Sequence, residues 1–184
     1  MLANTFEAVW NVVSKEFDNL TSSKTPLHIG EAMDCWVYLT SLGEFIRFEE
    51  MSLNTTIDDE VKEMLTDAIR MCESQAQKLG DFMKKEGIPL PETTPPKPNS
   101  EPNAIPLGVK LTDEEIANGI TLKLTTCLAM CAKGQIDSIR NDMGMLWFKF
   151  HLEMLTFGTS LKALMMKRGW LKIPPYYYPP GQPQ

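Results

Sequence analysis

Met166-Lys167-Arg168-Gly169-Trp170, near the C-terminus, repeats the design of Met83-Lys84-Lys85-Glu86-Gly87-Ile88-Pro89 in mid-chain. Each is a basic turn, a glycine and an apolar residue, with proline following at Pro89 or at Pro174-Pro175. This is how a helix C-terminus is written. The cations complement its negative end, glycine takes the left-handed conformation, and proline cannot continue the helix. Two such stops divide the chain into two similar halves, each with room upstream for a pair of long helices.

Working back from the first stop, a helix reaching residue 86 is expected to bury Ile57, Val61, Met64, Ala68, Cys72, Leu79 and Phe82, with Thr56 as its cap. Before it, Asn54-Thr55-Thr56 is a short turn, and a helix over 27–53 follows Pro26. Its expected buried stripe is Ile29, Met33, Trp36, Leu39, Leu42 and Ile46. In the second half, Thr112-Asp113-Glu114-Glu115 is a capping box. It opens a helix to about residue 139 that buries Ile116, Ile120, Leu124, Cys127, Leu128, Cys131 and Ile139. After a turn at Asn141-Asp142, a helix to residue 168 buries Met143, Trp147, Phe150, Met154, Gly158, Leu161 and Met165.

Between the hairpins, residues 87–111 show no helix or strand period and carry seven prolines. At the polyproline rise of about 3.1 Å per residue, this stretch can cross the length of a bundle. Neither hairpin can bury its stripe alone, so the segment reads as a crossover within one domain spanning 1–184. Two hairpins joined by one long crossover make the ferritin-like form of the four-helix bundle. Two additions are expected. Leu2, Phe6, Val9, Trp10, Val13 and Phe17 form an apolar stripe over 2–17, a helix to pack on the bundle or on a second subunit. Residues 169–184 form a tail rich in proline and tyrosine, including Tyr176, Tyr177 and Tyr178, suited to wrap the bundle or dock a neighbour.

Bulk composition narrows function by exclusion. The chain has 184 residues, 43% hydrophobic, and a net charge of −6 with a pI near 5.0. An acidic chain is repelled by phosphate, so nucleic-acid partners are not expected. No segment approaches the ~18 apolar residues of a membrane span, and no secretory signal is discernible. The four cysteines, Cys35, Cys72, Cys127 and Cys131, then read as reduced thiols of a cytoplasmic protein.

Several segments resemble an uncharacterised, spore-coat-related family of ferritin-like helical proteins from spore-forming bacteria, a domain of unknown function. They are Gly30-Glu31-Ala32-Met33-Asp34-Cys35-Trp36, Lys85-Glu86-Gly87-Ile88-Pro89-Leu90-Pro91 and Arg168-Gly169-Trp170-Leu171-Lys172-Ile173-Pro174-Pro175-Tyr176. The resemblance runs over about residues 27–178. It implies a ferritin-like bundle and no established activity. The chain departs from longer members at Gln75, where they tend to carry a histidine.

A di-iron carboxylate bundle needs Glu-x-x-His on two of its helices, because i and i+3 share an inward face. The two histidines here, His28 and His151, follow Thr25 and Phe148 at that spacing, so the signature is absent. The reversed spacing does occur, in His28 and Glu31. Helical placement puts His28 on the apolar face, Glu31 at its edge, Gln75 and Gln135 inward and His151 at the core edge. Glu73, Asp142 and Glu153 fall outward. His28, Glu31 and Gln135 are expected to meet at one end of the bundle, with Gln75 deeper. They form either a buried polar network that fixes register or a metal site with His28 and Glu31 as ligands. The four thiols, if they converge, are an alternative site for Zn or Cu(I), and otherwise small core hydrophobes. No phosphate loop and no Ser-His-Asp arrangement is discernible. The expected function is that of a non-catalytic structural or assembly protein without a cofactor, homo-oligomeric or partnered by a coat-type protein. A metal-binding bundle is the alternative, and an oxidoreductase is less well supported by the ligand count.

Overall fold

The structure, a computed structural model, describes residues 25–181. The helix expected over 2–17 lies outside the described residues. Four long helices carry the fold: α1 (Ile29–Leu53), α2 (Asp59–Glu86), α3 (Asp113–Asp137) and α4 (Asn141–Arg168). A single 3-10 turn, Pro102–Ala104, interrupts the crossover. No strand occurs among the described residues.

The two mirrored stops close in the same way. Gly87 and Gly169 adopt φ of 75° and 72°. The amide of the next residue bonds back over the turn, Ile88 N to Met83 O and Trp170 N to Met165 O, both at 2.9 Å. This left-handed closure excludes any Cβ-bearing residue without strain. The capping box at Thr112 forms as its spacing predicts: Thr112 Oγ1 accepts from Glu115 N, and Glu115 accepts from Thr112 N. Two caps differ from expectation. Asp58, not Thr56, caps α2, because its carboxylate reaches the amides of Glu60 and Val61. Thr56 instead accepts from Asp58 N and donates to Asp113 Oδ1, tying the first turn to the start of α3.

Each helix packs against two neighbours: α1 against α2 and α3, α4 against α3 and α2. His28, before α1, touches Asp137 at the end of α3, while Arg168, ending α4, reaches Asp58 and Glu60 at the start of α2. All four neighbouring pairs are therefore antiparallel. The crossover returns along α1 and is clipped to it. Thr94 donates to Glu44, Lys97 N to Glu50, and Ser100 N and Pro98 O bond the Asn54 amide. These contacts fix an irregular segment that has no ladder of its own.

The core centres on an aromatic trio. Tyr38 lies edge-on to Trp147 with ring centroids 5.1 Å apart and stacks on Phe150 at 5.9 Å. Leu42, Leu65, Leu79, Met83, Ile116, Ile120, Met143 and Met154 fill the layers around it. Gly134 lets α3 approach the Trp147 indole directly.

The inward face of α1 is the predicted one at Leu39, Leu42 and Ile46 but not in the first half of the helix. Ile29 is 89% exposed, Met33 58%, and Trp36 is half-exposed, while Glu31, Cys35, Tyr38 and Glu49 turn inward beside Leu39, Leu42 and Ile46. The helix is apolar on two opposite sides, so periodicity alone could not choose between them. The choice fell to the side whose polar groups find partners inside. Ile57 is exposed because it precedes α2, and Ile139, 74% exposed, because α3 ends at Asp137. Phe82, Leu128 and Gly158 are only partly buried. The tail leaves the bundle at Trp170 and Leu171, which pack on the core, and its three tyrosines are exposed.

Candidate functional site

Three buried polar clusters are strung along the bundle, and two of them are built on side chains singled out from the sequence. The first lies at the end where α1 begins. His28 is not on the helix face but at the N-cap, where Nδ1 accepts from the amides of Gly30 and Glu31. Nδ1 therefore carries a lone pair, and Nε2 carries the proton it donates to Asp137 O at 3.1 Å. Glu31, 1% exposed, closes the capping box through Oε2 to His28 N. Its Oε1 accepts from Ile139 N at 2.9 Å and Arg140 N at 3.1 Å. One carboxylate thus caps its own helix and holds the α3–α4 turn.

Arg140 completes the clasp. Its guanidinium is shared by Asp142 (3.0 and 2.6 Å) and Glu86 (2.6 and 2.9 Å), and these bonds hold it further above its already high pKa. The Phe82 ring lies 5.7 Å beneath it. All four helices therefore meet through side chains at this end. Asp142, expected to face outward, does so only in part, since it accepts from Arg140.

The second cluster surrounds Gln75, which is fully buried as its position predicts. Tyr38 Oη donates to Gln75 Oε1 at 2.8 Å, and Gln75 Nε2 donates to Glu153 Oε2 at 2.9 Å. Glu153, expected to point outward, turns back to this amide and is paired with Lys78. A shell of core is thus linked to the surface from Tyr38 to Lys78. Gln135, half-buried, joins neither His28 nor Gln75. Its amide donates to Cys131 O at 3.0 Å and meets His151 Nδ1 at 3.2 Å, which confirms His151 at the core edge. The convergence expected of His28, Glu31 and Gln135 therefore reduces to His28 with Glu31, because Gln135 lies two residues before Asp137, on the opposite side of α3, and meets His151 of α4.

The third cluster was not read from the sequence. Lys123 on α3 and Glu49 on α1 form an ion pair inside the core, with the Lys123 ammonium also 3.1 Å from Cys72 Sγ. Both residues are buried, and Glu49 Oε2 has no hydrogen-bond partner among the described residues. Burial pulls the Lys123 ammonium down, to about 8. The Glu49 carboxylate works in the opposite sense. The signal was available. Lys123 stands three residues after Ile120 and four before Cys127, on the inward stripe of α3, and Glu49 three after Ile46 on that of α1. A charge of each sign on facing stripes of adjacent helices predicts a pair.

The thiols are all buried and free; Cys127 and Cys131 share the Tyr38 hydroxyl, and Cys127 also lies within electrostatic reach of Cys72. Cys35 meets Met143 Sδ at 3.6 Å, Cys131 meets Tyr38 Oη at 3.5 Å, and Cys72 meets Lys123. Burial pushes Cys127 up to about 11 and Cys35 and Cys131 up to about 12, so they are thiols rather than thiolates near neutrality. Among the described residues, no three His, Cys, Asp or Glu side chains gather as a metal-ligand set, and no helix is long and apolar enough to cross a membrane.

Comparison with known proteins agrees with this architecture. The chain is 29% identical over 152 residues to the uncharacterized protein YvdQ of Bacillus subtilis strain 168, covering 83% of this chain and 89% of that one. A solved structure from Bacillus halodurans, provisionally described as a spore coat protein, superposes with a TM-score of 0.82 at 28% identity. It covers 84% of this chain and 98% of its own. Residues 15–182 match the family model described as a protein of unknown function, DUF3231, and the chain belongs to that family.

Proposed function

We propose that this protein is a non-catalytic structural or assembly component, built on a ferritin-like bundle and associated with the spore coat. The observation that carries this reading is the burial of Lys123 on Glu49. A di-iron bundle gathers carboxylates and histidines around its axis for cations to neutralise. Here the inward carboxylate of α1 is neutralised by the protein's own ammonium, and the amide of Gln75 stands among Tyr38, Glu153 and a backbone carbonyl. The residues present do not fit a di-iron centre.

The end clasp supports the same reading. Both nitrogens of His28 and both oxygens of Glu31 are engaged in capping, so a metal there would displace bonds that hold two helix ends. The coat association is supported by the description of the B. halodurans relative. Elemental analysis of purified, tag-free protein, with sedimentation alongside, is the test. The expected result is no stoichiometric metal, even after incubation with Fe, Zn or Mn, and an assembly larger than a monomer. One metal per chain that is lost in His28→Ala would establish the metal-binding alternative instead.

A further inference from the structure

The outer face of α1 is apolar in its first half, from Ile29 to Val37, and turns polar at Thr40, Ser41 and Glu44. From Glu44 onward the crossover lies over it, clipped at Glu44, Glu50 and Asn54. Before Glu44, Ile29, Met33, Trp36 and Val37 stand exposed at i, i+4, i+7 and i+8, which is one continuous stripe. Ile136 and Ile139, also exposed, flank its lower end, since His28 touches Asp137 there. Isolated exposed apolar residues are ordinary, but a contiguous stripe of large ones marks a contact surface.

We propose that this stripe is the docking site for the chain's own N-terminal segment, residues 2–17, laid antiparallel along α1 as a fifth helix. Three observations choose this occupant. The first is attachment: Thr25 O accepts from Arg140 Nη1, so the described chain begins at the lower edge of the stripe, beside Ile139. The second is length. Sixteen residues of helix span about 24 Å; the exposed apolar stripe from Ile29 to Val37 takes up about 12 Å of α1, and the run on to Glu44 brings the distance to about 22 Å at the same rise. A segment running up from the link would stop where the crossover takes over. The third is pattern: Leu2, Phe6, Val9, Trp10, Val13 and Phe17 recur at helical spacing and make the complementary stripe. A second copy's segment has the same pattern. The link over residues 18–24 is short, so the chain's own segment is present at an effective concentration on the order of millimolar, which favours docking within one chain.

Methionine oxidation of the full chain by dilute peroxide, read by mass spectrometry, tests this directly. Met33 and Met166 are matched references, 58% and 59% exposed on the described bundle. Docking predicts that Met33 is oxidised several-fold more slowly than Met166, at every protein concentration. The triple variant Phe6→Ser, Trp10→Ser, Val13→Ser should raise Met33 to the Met166 rate. Equal rates in the unaltered chain would overturn the proposal. So would protection that persists in the triple variant, which would mean another element covers the stripe. Protection that fades on dilution would also overturn it, by assigning the stripe to a second copy.

Discussion

Replacing Gly134 with alanine sets two effects of opposite sign against each other. In a helix interior the change normally stabilises by about 0.8–1.0 kcal/mol, through backbone entropy. At this position a Cβ would stand 2.5 Å from Trp147 Cε2 and 2.6 Å from Cδ2 and Nε1. Carbon atoms pack best at about 3.5–4.0 Å, so the indole or α3 must withdraw by roughly 1 Å. The indole has nowhere to go. It is buried and edge-on to both Tyr38 and Phe150, at 5.1 and 6.2 Å. Overpacking of this kind costs about 1–3 kcal/mol. The net expectation is a loss of about 1–2 kcal/mol, which lowers a urea midpoint by roughly half a molar or more. Gly43→Ala is the matched control. Nothing lies within 4 Å of a Cβ there, so the entropy gain should appear alone. Urea unfolding followed by far-UV circular dichroism measures both. If Gly134→Ala stabilises as Gly43→Ala does, α3 does not approach Trp147 as described and the packing of the trio is wrong.

Three further outcomes follow from the buried polar groups. Lys123→Met should cost about 3–5 kcal/mol by leaving Glu49 charged and alone, whereas Lys123→Met combined with Glu49→Leu should regain most of that loss. A double variant no better than the single one in urea unfolding would mean the pair is not coupled. Glu31→Ala orphans three amides that now donate to a carboxylate, and it should cost about 3 kcal/mol or more, measured the same way. A cost below that of a lost cap, about 1 kcal/mol, would refute the shared role of this carboxylate. Alkaline titration reads the thiols. Cys35, Cys127 and Cys131 rise from 9.0 to about 12, 11 and 12, so above pH 9 the native state binds more protons than the unfolded state and stability falls. Lys123 acts oppositely between about 8 and 10.5, but by one proton against four, since burial raises Cys72 as well. The net slope near pH 10 is therefore downward, at about 1.4 kcal/mol per pH unit for each net proton. A midpoint that rises from pH 9 to 10 would contradict the burial of the thiols.

The parts of this fold that were legible in the sequence are those set by local chemistry. Gly87, Gly169 and the Thr112 box each work within a few residues of chain, and each closes as read. What failed was a choice between equals. In the first half of α1, Ile29, Met33 and Trp36 compete with Glu31, Cys35 and Tyr38 for the core, and the decision rests on partners from elsewhere in the fold. Gln75 and Ile139 supply two of them, an amide for Tyr38 and a backbone N–H for Glu31. The same reasoning explains the candidate site. His28 and Glu31 bond to each other as a cap, but their further partners are backbone groups of a turn 109 residues away, which spacing cannot indicate. The pairing of Lys123 with Glu49 becomes legible only when the inward stripes of α3 and α1 are set side by side.

The crossover carries one further consequence. It contributes little to the core, so either hairpin can satisfy its apolar stripe just as well on a second chain's complementary hairpin. What disfavours such exchange between copies is the set of clips from Glu44, Glu50 and Asn54, which hold the connection short along α1. Those three side chains, on the outer side of α1 from the buried clusters, therefore favour separate chains over interlinked ones.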